Sequence, residues 1–226
     1  MIKCNSCESV QEPRLLCAQC GVPLSTALDL FAALGLPRKL TIDSAKLEQV
    51  YHDLGRRIHP DRFANSAANL RELSLRGTAL LTRAYRTLRD PVSRGLYWLE
   101  LNHHKLAENN KNVPADLAET VFEVQEQLSD LRAVRDAAAS ATRLLRAEIS
   151  DRRAQLHHMI EEAQRELARN FACWDARTAH DAYDHLNDGA ETDALVMELK
   201  AALSKIAYLR TLIRDIDREL DSAQAA

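Results

Sequence analysis

Four of the five cysteines in this 226-residue chain fall within its first twenty residues. They are Cys4, Cys7, Cys17 and Cys20, in a C-x2-C-x9-C-x2-C pattern. Thiolates two residues apart on a tight turn converge on one ion, and two such turns complete a tetrahedron. The spacer "ESVQEPRLL" is short, as in a small ribbon or knuckle, and Gly21 suits the turn after a ligand pair. The pattern points to a closed, structural zinc site. Disulfides or a C-x-x-C redox pair remain open as alternatives. Iron is open in place of zinc, because four tetrahedral sulfurs do not distinguish the two metals. A ribbon that reads nucleic acid would need a basic surface. This one sets Lys3 and Arg14 against Glu8 and Glu12.

A second constellation is "RRIHPDRF", residues 56–63. A residue before proline is pushed out of the helical region, so His59 is expected to leave its helix in an extended conformation. His59 and Asp61 then flank the rigid ring of Pro60 at the tip of a loop. Arg56, Arg57, Arg62 and Lys46 supply positive charge around it. A carboxylate so placed can accept charge-assisted hydrogen bonds. The plain alternative is that His59 and Asp61 only cap adjacent helices and the arginines form a solvated face.

These groups need elements to position them, and the pattern of residues 25–101 supplies four short helices. Leu28, Phe31 and Leu34 form an apolar face that stops at Gly35, with Pro37 just beyond. Asp43 caps a second helix with Leu47, Val50, Tyr51, Leu54 and Ile58 on one side. Leu70, Leu73, Leu80, Leu81, Ala84, Tyr85 and Leu88 mark a third. Asp90 and Pro91 open a fourth, whose Tyr97, Trp98 and Leu101 are expected to pack against a C-terminal helical bundle. Helices two and three form an antiparallel hairpin with the His-Pro-Asp tripeptide at its tip.

Residues 103–114 read as a polar linker, and residues 115–226 as a three-helix bundle with one extra short helix over "DARTAHDAYDHLND". Leu117, Val121, Val124, Leu128 and Leu131 form the seam of the first bundle helix, residues 137–171 a long helix, and Leu199 to Leu220 the last. Off the first seam stands Phe122, ringed by Glu119, Glu123, Glu126 and Asp130. An aromatic rimmed by acids has the composition of a binding hot spot. Tyr208 and Leu212 are placed to extend it. The alternative is that Phe122 packs against the hairpin segment. Cys173, beside Trp174, is expected to be a small buried hydrophobe.

The totals agree with an all-α chain: apolar residues are 46 % and aromatics 5 %, with six glycines and six prolines. No apolar run of about 18 residues is present to span a membrane. The start "MIKCNSC" has neither a secretory core nor an Arg-rich transit pattern. A cytoplasmic protein is expected, or a mitochondrial-matrix one if a transit peptide has been removed. Net charge is −3, unevenly spread. Residues 43–94 carry ten Lys/Arg against six Asp/Glu, residues 112–226 fourteen against twenty-two. Two surfaces of opposite sign suit two different partners, although a solvated acidic bundle has the same composition.

The context "YHDLGRRIHPDRF" resembles the J domain of DnaJ-type cochaperones. The longer stretches "LFAALGLPRKLTIDSAKLEQVYHDLGRRIHPDRF" and "LTRAYRTLRDPVSRGLYWLEL" resemble the HscB-type J-proteins of iron–sulfur cluster assembly. Some of these carry a similar four-cysteine extension. The resemblance implies a zinc ribbon at 1–24, a J domain at 25–102, a linker at 103–114 and a client-binding bundle at 115–226. It further implies that the tip at His59, Pro60 and Asp61, with Arg56, Arg57, Arg62 and Lys46, docks on a DnaK-type chaperone (HscA-like) and stimulates its ATPase. On the bundle, it implies that Phe122, Glu123, Glu126, Asp130 and Tyr208 contact the cluster scaffold IscU. The first turn departs from the apolar family pattern, reading Ala118 and Glu119. Such a protein catalyses no reaction itself and binds neither nucleic acid nor membrane. A J-protein for a different client, or a C-x-x-C redox protein, are the alternatives.

Overall fold

The computed structural model describes residues 1–104, 106, 113–133, 139–180 and 189–222. The chain divides into two compact units, Met1–Trp98 and Leu99–Ala226.

The first unit begins with a ribbon. Strand β1 (Ile2–Lys3) pairs antiparallel with β2 (Val10–Gln11), and a separate bridge joins Leu16 to Pro23. Helix α1 (Leu30–Ala33) is shorter than its apolar spacing suggests. The Asp29 carboxylate accepts the Ala32 N–H at 2.8 Å and fixes the start, leaving Leu28 outside. Helix α2 (Ser44–Ile58) starts as expected after Asp43, whose carboxylate accepts the Ala45 and Lys46 N–H groups. Leu47 and Ile58 are buried on it, while Val50, Tyr51 and Leu54 are half-buried.

Helix α3 (Ala68–Arg89) packs on α2 and α1 through a stripe stepping by three and four: Ser74, Gly77, Leu81, Ala84 and Leu88. The leucines Leu70, Leu73 and Leu80 only flank that stripe, half-buried. Helix α4 (Pro91–Leu101) is capped by Asp90, which accepts the Ser93 N–H at 2.8 Å. The Tyr97 ring stacks 6.1 Å from that of Phe31, and its hydroxyl accepts the Leu30 N–H at 2.9 Å. These contacts lie within the first unit, so Tyr97 closes α4 onto α1 where the sequence suggested the bundle as its partner.

The second unit holds a 3-10 turn (Ala115–Leu117) and helices α5 (Ala118–Ala133), α6 (Ala139–His180) and α7 (Gly189–Ser222). All three helices pack on one another. Leu117, Val124, Leu128 and Leu131 of the expected seam are buried, as are Leu199, Ala202, Ile206, Leu209, Ile213 and Ile216. The extra short helix is corrected in part: residues 175–180 continue α6 without a break, and residues 181–188 of that stretch lie outside the described residues. Two further expectations change. Leu212 follows Leu209 by three positions, returns to the same stripe and is buried. Cys173 comes two residues after buried Phe171, about 200° round the helix, and is exposed. No described helix is long and apolar enough to cross a membrane.

Candidate functional site

The ribbon is two copies of one small turn. In the first, the Cys4 N–H donates to the Ser9 carbonyl at 2.9 Å and the Glu8 N–H to the Cys4 carbonyl at 2.9 Å. In the second, Cys17 N–H donates to Val22 at 2.9 Å and Gly21 N–H to Cys17 at 3.0 Å. Each turn requires a left-handed residue after its second cysteine, Glu8 with φ 60° and Gly21 with φ 71°. The four Sγ atoms all lie within 4.8 Å of one another. The close sulfur pairs are Cys4–Cys20 at 3.7 Å and Cys7–Cys17 at 3.6 Å, across the two turns. A tetrahedral ion with metal–sulfur bonds of about 2.3 Å needs sulfurs about 3.8 Å apart. A disulfide needs about 2.05 Å. The four sulfurs therefore fit a single tetrahedral ion.

Two residues that the cysteine pattern did not single out complete this centre. Gln11 Nε2 donates to Cys17 Sγ at 2.9 Å and to Ser9 Oγ at 3.1 Å, while its Oε1 accepts the Ala18 N–H at 2.9 Å. Ser9 Oγ lies 3.1 Å from Cys7 Sγ and 3.5 Å from Cys17 Sγ. The signal for them was strand alternation, since Ser9 and Gln11 share one face while Val10 points to solvent. Hydrogen bonds from Ser9 first, then the Cys20 N–H and Gln11, hold the Cys17 thiol down at about 5, in its ligating thiolate form at neutral pH. The Ser9 hydroxyl also lowers Cys7. At Cys20 the Val22 N–H acts downward, but desolvation and the three neighbouring cysteines outweigh it and push the thiol up to about 11.

The tip turns its groups the other way. His59 leaves α2 at φ −54°, ψ 134°, and Pro60–Phe63 form a 3-10 turn anchored by buried Phe63. His59 Nδ1 accepts the Asp61 N–H at 3.3 Å, and the His59 carbonyl accepts the Arg62 N–H at 3.0 Å. An Nδ1 that accepts leaves the ring proton on Nε2. His59 therefore does cap the turn, but the Asp61 side chain is 90 % exposed, 3.4 Å from the imidazole. Arg56 and Arg57 share Asp53 at 3.6 and 3.7 Å, weak surface pairs that leave both arginines accessible. Arg62 and Lys46 are exposed as well. Beneath them Tyr51 stacks on Tyr85 at 4.2 Å, fixing α2 against α3.

On α5, Phe122 is 69 % exposed, with Glu119, Glu126 and Asp130 exposed beside it. Glu123 differs, pairing with Arg152 of α6 at 3.0 Å. Tyr208 is half-buried on α7, and Leu212 drops out of the patch because it is in the core.

No family model matches the chain. The co-chaperone protein HscB homolog of Chromobacterium violaceum is 35 % identical over 129 residues, covering 57 % of this chain and 74 % of that protein. The HscB homolog of Bordetella pertussis is 35 % identical over 135 residues, 59 % of this chain and 77 % of its own. The iron–sulfur cluster co-chaperone protein HscB homolog of Arabidopsis thaliana is 31 % identical over 127 residues, 56 % of this chain and 46 % of its own. Among solved structures, human co-chaperone protein HscB shares the fold with a TM-score of 0.66 at 22 % identity, covering 96 % of this chain and 97 % of its own. Chaperone HscB from Vibrio cholerae gives 0.54 at 20 % identity, over 86 % and 99 %.

Proposed function

This chain belongs to the HscB co-chaperone family, and from that premise we propose that it is a J-protein of iron–sulfur cluster assembly that works in the cytoplasm or the mitochondrial matrix. In this reading residues 25–102 act as the J domain and residues 115–226 as the client-binding bundle. The tip docks on a DnaK-type chaperone and stimulates its ATPase. The bundle brings an IscU-like scaffold to the same chaperone.

The observation that supports this most directly is the tip itself. Pro60 and the 3-10 turn fix His59 and Asp61 before contact, which lowers the ordering cost of docking. Asp61 is left to accept from a partner's arginine. Arg56, Arg57, Arg62 and Lys46 steer an acidic surface toward it. None of these groups forms a nucleophile–base pair, so the protein's part is to bind and position. Cys4, Cys7, Cys17 and Cys20 hold a structural zinc ion, with iron as the other metal the same donors accept. The scaffold-facing surface is Phe122 with Glu123, Glu126, Asp130 and Tyr208.

The test is a His59→Gln variant in a single-turnover ATPase assay with the DnaK-type chaperone of the same source. The expected result is loss of stimulation by about tenfold or more, with melting lowered by no more than a few degrees for the changed cap on this exposed turn. Full stimulation by the variant would sink the proposal.

A further inference from the structure

The end of α2 contains a group that the helix cannot satisfy by itself. The last carbonyls of a helix lack intrahelical donors, and here the chain beyond them is unusually poor in replacements. Pro60 has no N–H to give. The Asp61 N–H is taken by His59 Nδ1 and the Arg62 N–H by the His59 carbonyl. Arg62 is the residue whose N–H would otherwise return to Ile58, whose side chain is fully buried. The Ile58 carbonyl instead accepts a hydrogen bond from the Ser74 hydroxyl of α3 at 2.6 Å. Ser74 is itself fully buried, one of four buried polar or charged residues among those described.

The same crossing is kept close by Gly77, one turn along α3. A Cβ at position 77 would stand 2.3 Å from Ile58 Cδ1 and 3.3 Å from Leu15 Cδ1. A side chain there would have to displace the tips of Ile58 and Leu15, so glycine is what lets the Ile58 side chain lie directly against α3. Ser74 and Gly77 together clamp the residue immediately before the tip, one by hydrogen bond and one by contact.

We propose that Ser74 is the positioning residue of the His59–Pro60–Asp61 tip. By holding the Ile58 carbonyl it fixes the point and direction at which the tip leaves α2, and so keeps the docking groups ordered before a partner arrives. The inference rests on the proposed chaperone-docking role, but its structural half is measurable without any partner. Ser74 touches no partner group in this reading. It acts through Ile58.

The experiment compares the 226-residue protein with its Ser74→Ala and Ala84→Gly variants, the second a control nearly three turns further along α3 that weakens the same helix away from the tip. Backbone 15N relaxation reads order at residues 59, 61 and 62. ATPase titration with the DnaK-type chaperone reads half-saturating concentration and plateau separately. The expected result for Ser74→Ala is a fall of tip order parameters from about 0.85 toward about 0.6. The half-saturating concentration should rise about fivefold with the plateau rate kept, because ordering is then completed on binding. Ala84→Gly should change neither. Unchanged tip order in Ser74→Ala, or an equal loss in Ala84→Gly, overturns the proposal. The His59→Gln variant in the same titration judges the docking role separately: stimulation retained there removes that role, while the relaxation data still decide whether Ser74 orders the tip.

Discussion

The ribbon and the tip are both tight turns in one unit, and they differ in where they aim their polar groups. In the ribbon, backbone N–H groups and the Gln11 side chain point inward at sulfur, and the four thiols face one another within 4.8 Å. In the tip, the backbone is completed by local bonds to His59, and Asp61 and the arginines face water. Converging ligands serve an ion, whose binding free energy becomes folding free energy. Diverging charges contribute little to folding and, in the proposed reading, are left for a partner. Phe122 on α5 belongs with the second kind, a large apolar side chain kept out of a core that its own helix helps to build.

This contrast can be broken most forcefully at the ribbon. Cys17→Ser removes a ligand from a centre that the other three cannot close, so metal content should fall toward zero. Melting temperature should drop by about 10 °C for the loss of about 3 kcal/mol, as read by metal analysis and calorimetry. A variant that keeps its metal and its melting temperature would make the ribbon an outward-facing site after all. Phe122→Ala should do the reverse. Melting should stay within about 1 °C, while calorimetric affinity for the iron–sulfur scaffold protein falls about tenfold or more. If the parent protein does not bind that scaffold, the proposed scaffold role of this face fails; Ala118 and Glu119 in the first turn of α5 already depart from the apolar family pattern.

Asp29 sharpens the contrast with a smaller effect. Burial acts to raise its carboxyl, but the Ala32 N–H at 2.8 Å and the Arg38 guanidinium, whose Nε and Nη2 lie at 2.9 and 2.6 Å, outweigh it and hold the carboxyl below its ordinary range. A depressed folded value stabilises the fold above the unfolded pKa near 3.9, and the gain is lost as pH falls through the folded value. Asp29→Ala should therefore cost about 1 kcal/mol at pH 7. The difference between variant and parent should shrink in melts taken progressively below pH 4. A constant difference across that range would mean that the charge at Asp29 contributes nothing to the cap.

Much of this was legible in the sequence because the responsible residues signal locally. Cysteine spacing gave the four ligands, Asp43 and Asp90 marked their helix starts, and Pro60 marked the end of α2. What escaped was whatever depends on two elements meeting. Leucines suggest one stripe on α3, yet the first two positions of the real one are Ser74 and Gly77. Counting back from Leu81 by four and then by three reaches both. Hydrophobicity alone passes over them because one is polar and the other has no side chain. Gln11 is hidden for a related reason: its partner Cys17 lies six residues away across a turn. The residue type of Cys173 suggests burial, whereas its angle on α6 decides against it.

The near-symmetry of the ribbon has a consequence for how its two halves respond to sequence change. Both turns demand the left-handed backbone, yet one supplies glycine at position 21 and the other glutamate at position 8. Open space surrounds Gly21, so the bar to a side chain there is conformational and not steric. A replacement other than asparagine or aspartate would cost about 1 kcal/mol or more. Position 8 already carries that strain, held in place by the turn and by a surface pair to Lys3 at 3.3 Å. Mutational drift at position 21 can only weaken the metal centre, whereas drift at position 8 toward glycine or asparagine relieves it. Half of the ribbon is therefore at its conformational optimum, and the other half retains room to improve.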